Sequence, residues 1–269
     1  MTIQKTISPV DHTVYVEREL ADAAALDRTL EAAVEAQKAW RAEPLEARAT
    51  LLRELVERVE ADADRIADEL TWQMGRPRSQ TPGEVRGFAE RARKMVELGL
   101  DQLRDLGIPE KDGFTRYIRR EPLGLTLVLA PWNYPWLTSV NVVVPALMAG
   151  NTVVLKHASQ TPLVAERFVE HARAAGIPAP VFSFLHMDHD LVADAIRDPR
   201  VGFVAFTGSV GGGHAVQQAA AGRFVGTGLE LGGKDPGYVA ADADIARAVD
   251  GLIDGAFFNS GQSCCGIER

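Results

Sequence analysis

The chain has 269 residues, of which 46% are hydrophobic and 25% are charged, a balance typical of an ordinary globular protein with a large core. Its net charge of −8 gives no electrostatic basis for binding nucleic acid, because that affinity depends on Lys and Arg contacts with phosphates. No stretch reaches transmembrane length, no secretory signal follows Met1 and the only two cysteines are adjacent, so the sequence predicts no membrane partner, no disulfide framework and a cytoplasmic location.

The amino-terminal part of the chain predicts a helical scaffold without recognisable chemistry. An extended lead covers residues 13–16 and an Ala-rich helix covers residues 23–41, whereas residues 2–12 carry no periodic signal. Apolar residues at helical spacing predict one amphipathic helix between residues 51 and 70. A second amphipathic helix is expected over about residues 83–106.

From residue 123 onward, short apolar runs alternate with helical stretches, which is typical of a parallel sheet with crossover helices. The predicted strands cover residues 125–130, 152–156, 181–185, 203–207 and 228–231. The predicted helices between them cover about residues 137–149, 162–175, 191–196 and 212–221. We therefore predict an α/β fold with a doubly wound, Rossmann-like parallel sheet, whose ligand lies at the carboxyl ends of the strands.

Two features at predicted strand ends have the chemistry of a nucleotide site. The glycine-rich turn at residues 208–213 opens a helix, where backbone N–H groups suit a phosphate. It does not fit the G-x-G-x-x-G fingerprint, so a tight structural turn remains an equal alternative. Lys156 is the last residue of the predicted strand at residues 152–156. It can bind ribose or phosphate oxygens, although a surface lysine is the commoner case.

Three further residues are candidates for covalent chemistry. Cys264 can act as a nucleophile if it ionises to the thiolate, whereas a small apolar core residue is the alternative, which we keep for Cys265. Glu230 is flanked by leucines and glycines, and apolar surroundings would favour a general base over a solvated strand-end acid. Asn133 lies between two prolines, and its amide can donate to an oxyanion or cap the following helix.

Taken together, these motifs occur in one order along the chain. They are PWNYP at residues 131–135, VLKHASQTP at 154–162, FTGSVGGG at 206–213, LELGGK at 229–234 and FNSGQSC at 258–264. In this order they resemble the aldehyde dehydrogenase superfamily, from about Leu20 to the last residue.

The resemblance implies a catalytic role for three of the candidates. Cys264 would attack a small aldehyde, and the Asn133 amide and the Cys264 backbone N–H would hold the resulting oxyanion. Loss of hydride to the nicotinamide would give a thioester, which water activated by Glu230 would hydrolyse to a carboxylic acid. Tyr134, Leu137 and Ser263 would line the aldehyde site, and none of them has a charge that indicates an acidic semialdehyde.

The resemblance also implies a binding site for NAD or NADP. Gly208 and Ser209 would meet the pyrophosphate, Gly213 would let the helix pack closely, and Lys156 would bind the adenosine ribose. The remaining predicted cofactor residues are Trp132, Leu129, Leu231 and Ser159. NAD-preferring relatives often have Glu after that lysine, whereas this chain has Ser159. Because serine does not repel a 2′-phosphate, we predict that NADP is accepted.

The family pattern further predicts the domain organisation. Residues 1–230 would form the dinucleotide-binding domain with its amino-terminal helices, and residues 231–269 would begin a catalytic domain. Relatives continue for a further half that includes a Glu-x-Phe-Gly-Pro segment, so this chain would be truncated after the catalytic cysteine. The full-length protein would form a homodimer or homotetramer.

Alternatives to the hydrolytic reaction remain open. A relative that passes the acyl group to coenzyme A would form the same thioester, and the chain by itself would be an inactive dinucleotide-binding fragment if nothing followed. His186, Asp188 and His189 can in principle chelate a metal. Because oxidation through a cysteine thioester needs no metal, we predict no metal site.

Overall fold

The computed structural model describes residues 2–269, which contain a five-stranded sheet with helices on both faces. The helices are α1 (Ala23–Ala42), α2 (Leu45–Ala61), α3 (Ala63–Met74), α4 (Thr81–Gln102), α5 (Pro135–Met148), α6 (Pro162–Ala174), α7 (His189–Arg197), α8 (Val210–Ala220) and α9 (Ile245–Phe257). The strands are β1 (Ile3–Ile7), β2 (Val14–Glu19), β3 (Leu106–Gly107), β4 (Tyr117–Ile118), β5 (Leu125–Ala130), β6 (Thr152–His157), β7 (Phe182–Phe184), β8 (Val201–Thr207) and β9 (Gly226–Glu230).

The central sheet has the strand order β7-β6-β5-β8-β9, and every neighbouring pair is parallel. Strand β5 lies in the middle, with Leu127 opposite Val154 of β6 and Val204 of β8. The chain builds outward from β5 in one direction and then continues from β8 in the other. Ligands of such sheets bind where this direction reverses, at the carboxyl ends of the strands.

Successive side chains of β5 point to opposite faces of the sheet, and each face has its own hydrophobic core. Leu127 and Leu129 pack with α1, α7 and α8 on one face, whereas Val128 packs with α2, α4, α5 and α6 on the other. Strands buried on both faces read as continuous apolar runs, and all six residues of β5 are buried. This architecture confirms the predicted α/β class and the doubly wound parallel sheet.

Two amino-terminal predictions differ from the structure. The single helix expected between residues 51 and 70 is wrong, because α2 ends at Ala61 and α3 begins at Ala63. Asp62 leaves helical geometry between them, and its carboxylate accepts hydrogen bonds from Arg65 and His171. Strand β1 forms although residues 2–12 have no periodic signal, because the strand is defined by its antiparallel pairing with β2.

The segments at the carboxyl-terminal end are more open. No residue of α9 is buried, and an isolated bridge joins Asp235 to Ile267. The division at residue 231 stays a prediction. Within residues 2–269, no helix combines the length and the apolar character that crossing a membrane requires.

Candidate active site

Two cavities share one wall at the carboxyl ends of the central strands. The first has a volume of about 610 Å³ and lies on the side of α7 and α8. The second has a volume of about 800 Å³ and runs along α5. The residues that line both are Phe206, Thr207, Glu230, Leu231 and Cys264. A group bound in either cavity therefore reaches the same thiol and carboxylate.

The first cavity brings together nearly all the residues that the sequence singled out. Its lining includes Leu129, Trp132, Asn133, Lys156, Ser159, Gly208, Ser209, Glu230, Leu231 and Cys264. Gly213 lies outside the lining and is buried behind it. A Cβ atom at Gly213 would lie 2.9 Å from Cδ2 of Leu231, so this glycine allows the close packing of α8 against Leu231.

The glycine-rich turn forms the amino-terminal end of α8. Ser209 caps the helix, since its Oγ accepts a hydrogen bond from the Gly212 N–H at 3.1 Å. The Phe206 ring packs on the turn, because a Cβ atom at Gly208 or Gly212 would lie 2.5 Å from its Cζ. The first N–H groups of a helix have no intrahelical partners. Those of Val210 and Gly211 are thus suited to an anion.

Lys156 and Ser159 lie at the other end of the first cavity. Burial lowers the pKa of Lys156, partly offset by the nearby charge of Asp188. The Ser159 carbonyl accepts hydrogen bonds from Thr6 Oγ1 at 2.7 Å and Gln4 Nε2 at 3.3 Å. Strand β1 therefore fixes the Ser159 loop, a contact that sequence reasoning missed because β1 had no pattern.

The residues before Cys264 adopt an unusual turn. Asn259, Ser260 and Gly261 all have positive φ angles, of 56°, 57° and 73°. Left-handed geometry is costly for residues with a side chain, so surrounding contacts must hold it. The buried Asn259 provides two of them, donating its N–H to Gln80 Oε1 at 2.8 Å and its Nδ2 to the Asn133 carbonyl at 2.9 Å.

The PWNYP segment holds the same turn from the other side. Asn133 Nδ2 donates to the Gln262 carbonyl at 3.0 Å, and its Oδ1 accepts from the Tyr134 N–H at 3.1 Å. The Tyr134 hydroxyl and the Ser263 Oγ lie 2.6 Å apart. An amide nitrogen has two N–H groups, so Asn133 can fix the turn and still donate to a bound oxygen.

A buried ion pair lies beneath this segment. Glu84 is 1% exposed and binds Arg76, and its Oε1 accepts a hydrogen bond from the Trp136 N–H at 2.9 Å. The Arg76 guanidinium lies 4.8 Å from the Tyr134 ring centroid and 5.7 Å from that of Phe258. Burial raises the pKa of Glu84 to about 7 despite Arg76. Sequence reasoning missed both residues. Glu84 lies on an amphipathic helix, where charges usually face solvent, and Arg76 lies in the short link between α3 and α4.

Cys264 and Glu230 differ from expectation in their surroundings. Partial desolvation, reinforced by the neighbouring Cys265 thiol, raises the pKa of Cys264, so the thiol dominates at neutral pH. Both cysteines are free and exposed, which overturns the apolar core reading of Cys265. Glu230 is also exposed, so the expectation of apolar surroundings is wrong.

Two of the three side chains considered for metal binding have other partners. His186 Nε2 lies 3.0 Å from Glu166 Oε1, and Asp188 caps α7 by accepting from the Leu191 N–H at 2.8 Å. Among residues 2–269, no group of three or more His, Cys, Asp or Glu side chains is arranged to hold a metal ion.

Comparisons with known proteins agree with this geometry. The sequence model of the "Aldehyde dehydrogenase family" matches residues 2–269. The succinate-semialdehyde dehydrogenase [NADP(+)] of Mycobacterium avium is 36% identical over 270 residues, which cover 98% of this chain and 54% of that protein. The 3,6-anhydro-alpha-L-galactose dehydrogenase of Streptomyces coelicolor is 33% identical, over 96% of this chain and 52% of that protein.

The fold of the chain is also similar to that of solved structures. The succinic semialdehyde dehydrogenase from Streptococcus pyogenes in complex with NADP+ is similar with a TM-score of 0.92 and 31% identity. That match covers 98% of this chain and 58% of the other. The chain thus spans about half the length of the curated relatives it matches.

Proposed function

Since the chain belongs to the aldehyde dehydrogenase family, we propose that the whole protein oxidises an aldehyde to a carboxylic acid with NAD or NADP. The observation that supports this most directly is the wall common to the two cavities, where Cys264 and Glu230 lie together. A dinucleotide in the first cavity and an aldehyde in the second would both reach Cys264. This is the arrangement that hydride transfer from a cysteine adduct requires.

The covalent step belongs to Cys264. Its thiolate adds to the aldehyde carbon, and the carbonyl oxygen becomes an oxyanion. The raised pKa of Cys264 means that a base must remove the thiol proton first. We assign stabilisation of the oxyanion to the second N–H of Asn133 Nδ2 and to the Cys264 backbone N–H. The bond from Asn133 to the Gln262 carbonyl keeps that amide oriented beside the nucleophile.

Release of the acid belongs to Glu230. It is the carboxylate on the shared wall and is open to solvent, so water reaches it freely. Glu230 takes a proton from this water, and the hydroxide formed attacks the thioester carbon. The C–S bond then breaks, which returns the thiolate of Cys264 and releases the carboxylic acid. Exposure thus suits Glu230 to this hydrolytic step.

The first cavity fits a dinucleotide. The amino-terminal end of α8 suits the pyrophosphate and Lys156 suits the adenosine ribose. Leu231, which packs closely on Gly213, forms part of the cavity wall. When bound, NAD or NADP supplies the hydride acceptor that turns the thiohemiacetal into a thioester. Ser159, unlike a glutamate at this position, adds no charge that would repel a 2′-phosphate.

A kinetic assay of the whole protein tests the proposal. We expect aldehyde-dependent NADPH or NADH formation, with equal amounts of carboxylic acid and no requirement for coenzyme A. Cys264→Ala should abolish turnover but keep cofactor binding in a fluorescence titration. Cys265→Ala serves as the matched control and should remain active. Undiminished turnover in Cys264→Ala would refute the nucleophile, and product formation only with coenzyme A would refute hydrolysis.

A further inference from the structure

The second cavity contains a cation that the reaction does not use. Its lining includes one basic side chain, Arg91 of α4, and one carboxylate, Glu230. Most of the remaining lining is apolar or small, as in Leu123, Val142 and Pro145. Arg91 is exposed to solvent, and its single positive charge beside mostly apolar walls attracts anions.

Arg91 has capacity left for a ligand. Its hydrogen bonds within residues 2–269 run from Nη1 to two uncharged acceptors, the Leu137 carbonyl and Asn141 Oδ1, both at 3.3 Å. These distances are long, and a guanidinium has five N–H groups. No side chain of the described chain therefore neutralises Arg91, unlike Arg93 on the same helix, which pairs with Glu60.

Asn141 provides further hydrogen-bond donors beside Arg91. Because its Oδ1 accepts from Arg91, its amide N–H groups remain for an acceptor. Both residues line the second cavity, together with Cys264 at its other end. A carboxylate matches this pair well, since a guanidinium binds two carboxylate oxygens in a fork while an amide can donate a further bond.

Part of helix α5 separates this anion site from the nucleophile. Tyr134, which contacts Ser263 beside Cys264, precedes the helix, and Asn141 follows seven residues later. At 1.5 Å per residue the two lie about 10 Å apart along the helix axis. The Arg91 guanidinium also donates to the Leu137 carbonyl, which lies about one turn nearer to Cys264 than Asn141 does. The cavity therefore suits a molecule with an aldehyde at one end and an anion at the other.

We infer that Arg91 and Asn141 bind a carboxylate at the far end of the substrate, which makes the second cavity selective for acidic semialdehydes. This inference rests on the proposed function, because it places the substrate aldehyde at Cys264. Arg91 is then a specificity-determining residue that sequence reasoning did not identify. It lies on a scaffold helix, and only the packing of α4 against α5 brings it to the cavity.

The test compares substrates that differ only in the terminal charge. The whole protein is assayed with unbranched semialdehydes of four to six carbons that end in a carboxylate, and with neutral aldehydes of the same length. We expect the wild type to have the higher kcat/KM for the acidic member of at least one pair. Arg91→Gln should lower that value by about 10-fold to 100-fold, mainly through KM, since a charge-assisted hydrogen bond is lost.

Controls separate the possible outcomes. Arg91→Gln should change kcat/KM for neutral aldehydes by less than about threefold, which also shows that the variant folds. Arg93→Gln removes the same charge from α4 outside the cavity and should leave the preference intact. Equal losses for acidic and neutral substrates, or none, would overturn the inference while aldehyde oxidation stands. A wild type inactive on every aldehyde would instead refute the proposed function itself.

Discussion

The side-chain amide of Asn133 donates a hydrogen bond to the main-chain carbonyl of Gln262 at 3.0 Å. The two residues come from opposite ends of the motif series, yet this bond fixes the turn that carries Cys264. The strained geometry of Asn259 and Ser260 depends on the same contacts. The amide that holds this turn is also the one proposed to stabilise the oxyanion, which makes its removal informative.

Asn133→Asp should lower kcat by about 100-fold to 1,000-fold, because removal of one oxyanion donor costs that much in comparable sites. The carboxylate keeps an acceptor for the Tyr134 N–H but has no N–H for the Gln262 carbonyl or for substrate. Steady-state kinetics on the whole protein measures the loss, with circular dichroism as the folding control. Wild-type kcat in a folded variant would remove Asn133 from the mechanism.

Cys265→Ser should make Cys264 more reactive near neutral pH. The Cys265 thiol contributes to the raised pKa of Cys264, although partial desolvation contributes more. Since the thiolate is the reactive form, a lower pKa moves the alkylation profile to lower pH. Iodoacetamide labelling between pH 6 and 10, followed by mass spectrometry of the Cys264 peptide, provides the profile. An unchanged or higher midpoint in the variant would contradict the expected effect of Cys265.

Arg76→Met should destabilise the fold in a manner that depends on pH. Without the guanidinium, ionised Glu84 is a buried and unpaired charge, which costs about 3 to 5 kcal/mol. The pKa of Glu84 is already raised to about 7, and loss of Arg76 raises it further. Because the pKa of Glu84 is higher in the folded than in the unfolded state, protonation of Glu84 stabilises the fold at pH 4. This stabilisation is lost as the pH rises through the folded-state pKa.

The measurement is urea unfolding of wild type and Arg76→Met at several pH values between 5 and 8. The penalty should be larger at pH 8 than at pH 5, where Glu84 takes up a proton. Arg78→Met provides the control, since Arg78 is an exposed residue paired with Asp68 and should change stability by less than about 1 kcal/mol. A penalty that is independent of pH would show that Glu84 is not the titrating group.

Ser159→Glu should shift cofactor preference from NADP toward NAD. The new carboxylate would lie in the first cavity near Lys156, where it would repel a 2′-phosphate and accept a bond from a ribose hydroxyl. We expect the Kd for NADP to rise at least about tenfold, equivalent to about 1.4 kcal/mol, with a much smaller change for NAD. Fluorescence titration measures both, and Ser159→Ala controls for loss of the hydroxyl. Equal weakening for both cofactors would argue against electrostatic discrimination.

Gly208→Ala should weaken cofactor binding through a steric effect. The added Cβ would lie 2.5 Å from Cζ of the Phe206 ring, a rigid group that must move. Combining it with Phe206→Leu should recover part of the lost affinity, because contacting residues are not additive. Isothermal titration of both single variants and the double variant gives this coupling. Additive losses would mean that the ring does not constrain the turn.

Much of the fold is encoded locally and could be predicted. The apolar runs of β5 and β6 and the helical spacing between them determined a parallel α/β sheet, because burial on both faces demands continuous apolar strands. The family membership followed from the order of the motifs. The local pattern did not predict the break at Asp62 between α2 and α3, where the Asp62 carboxylate bonds His171 of α6.

The sequence by itself determined the fold class, the family and the set of candidate residues for the chemistry, since these depend on residue type and spacing. Tertiary structure alone decided which groups meet. It brought Asn133 to the Cys264 turn, exposed Glu230, buried the pair Arg76 and Glu84, and carried Arg91 from a scaffold helix to the second cavity. Each of these depends on packing between segments distant in the chain, and such contacts leave no periodic signal along it.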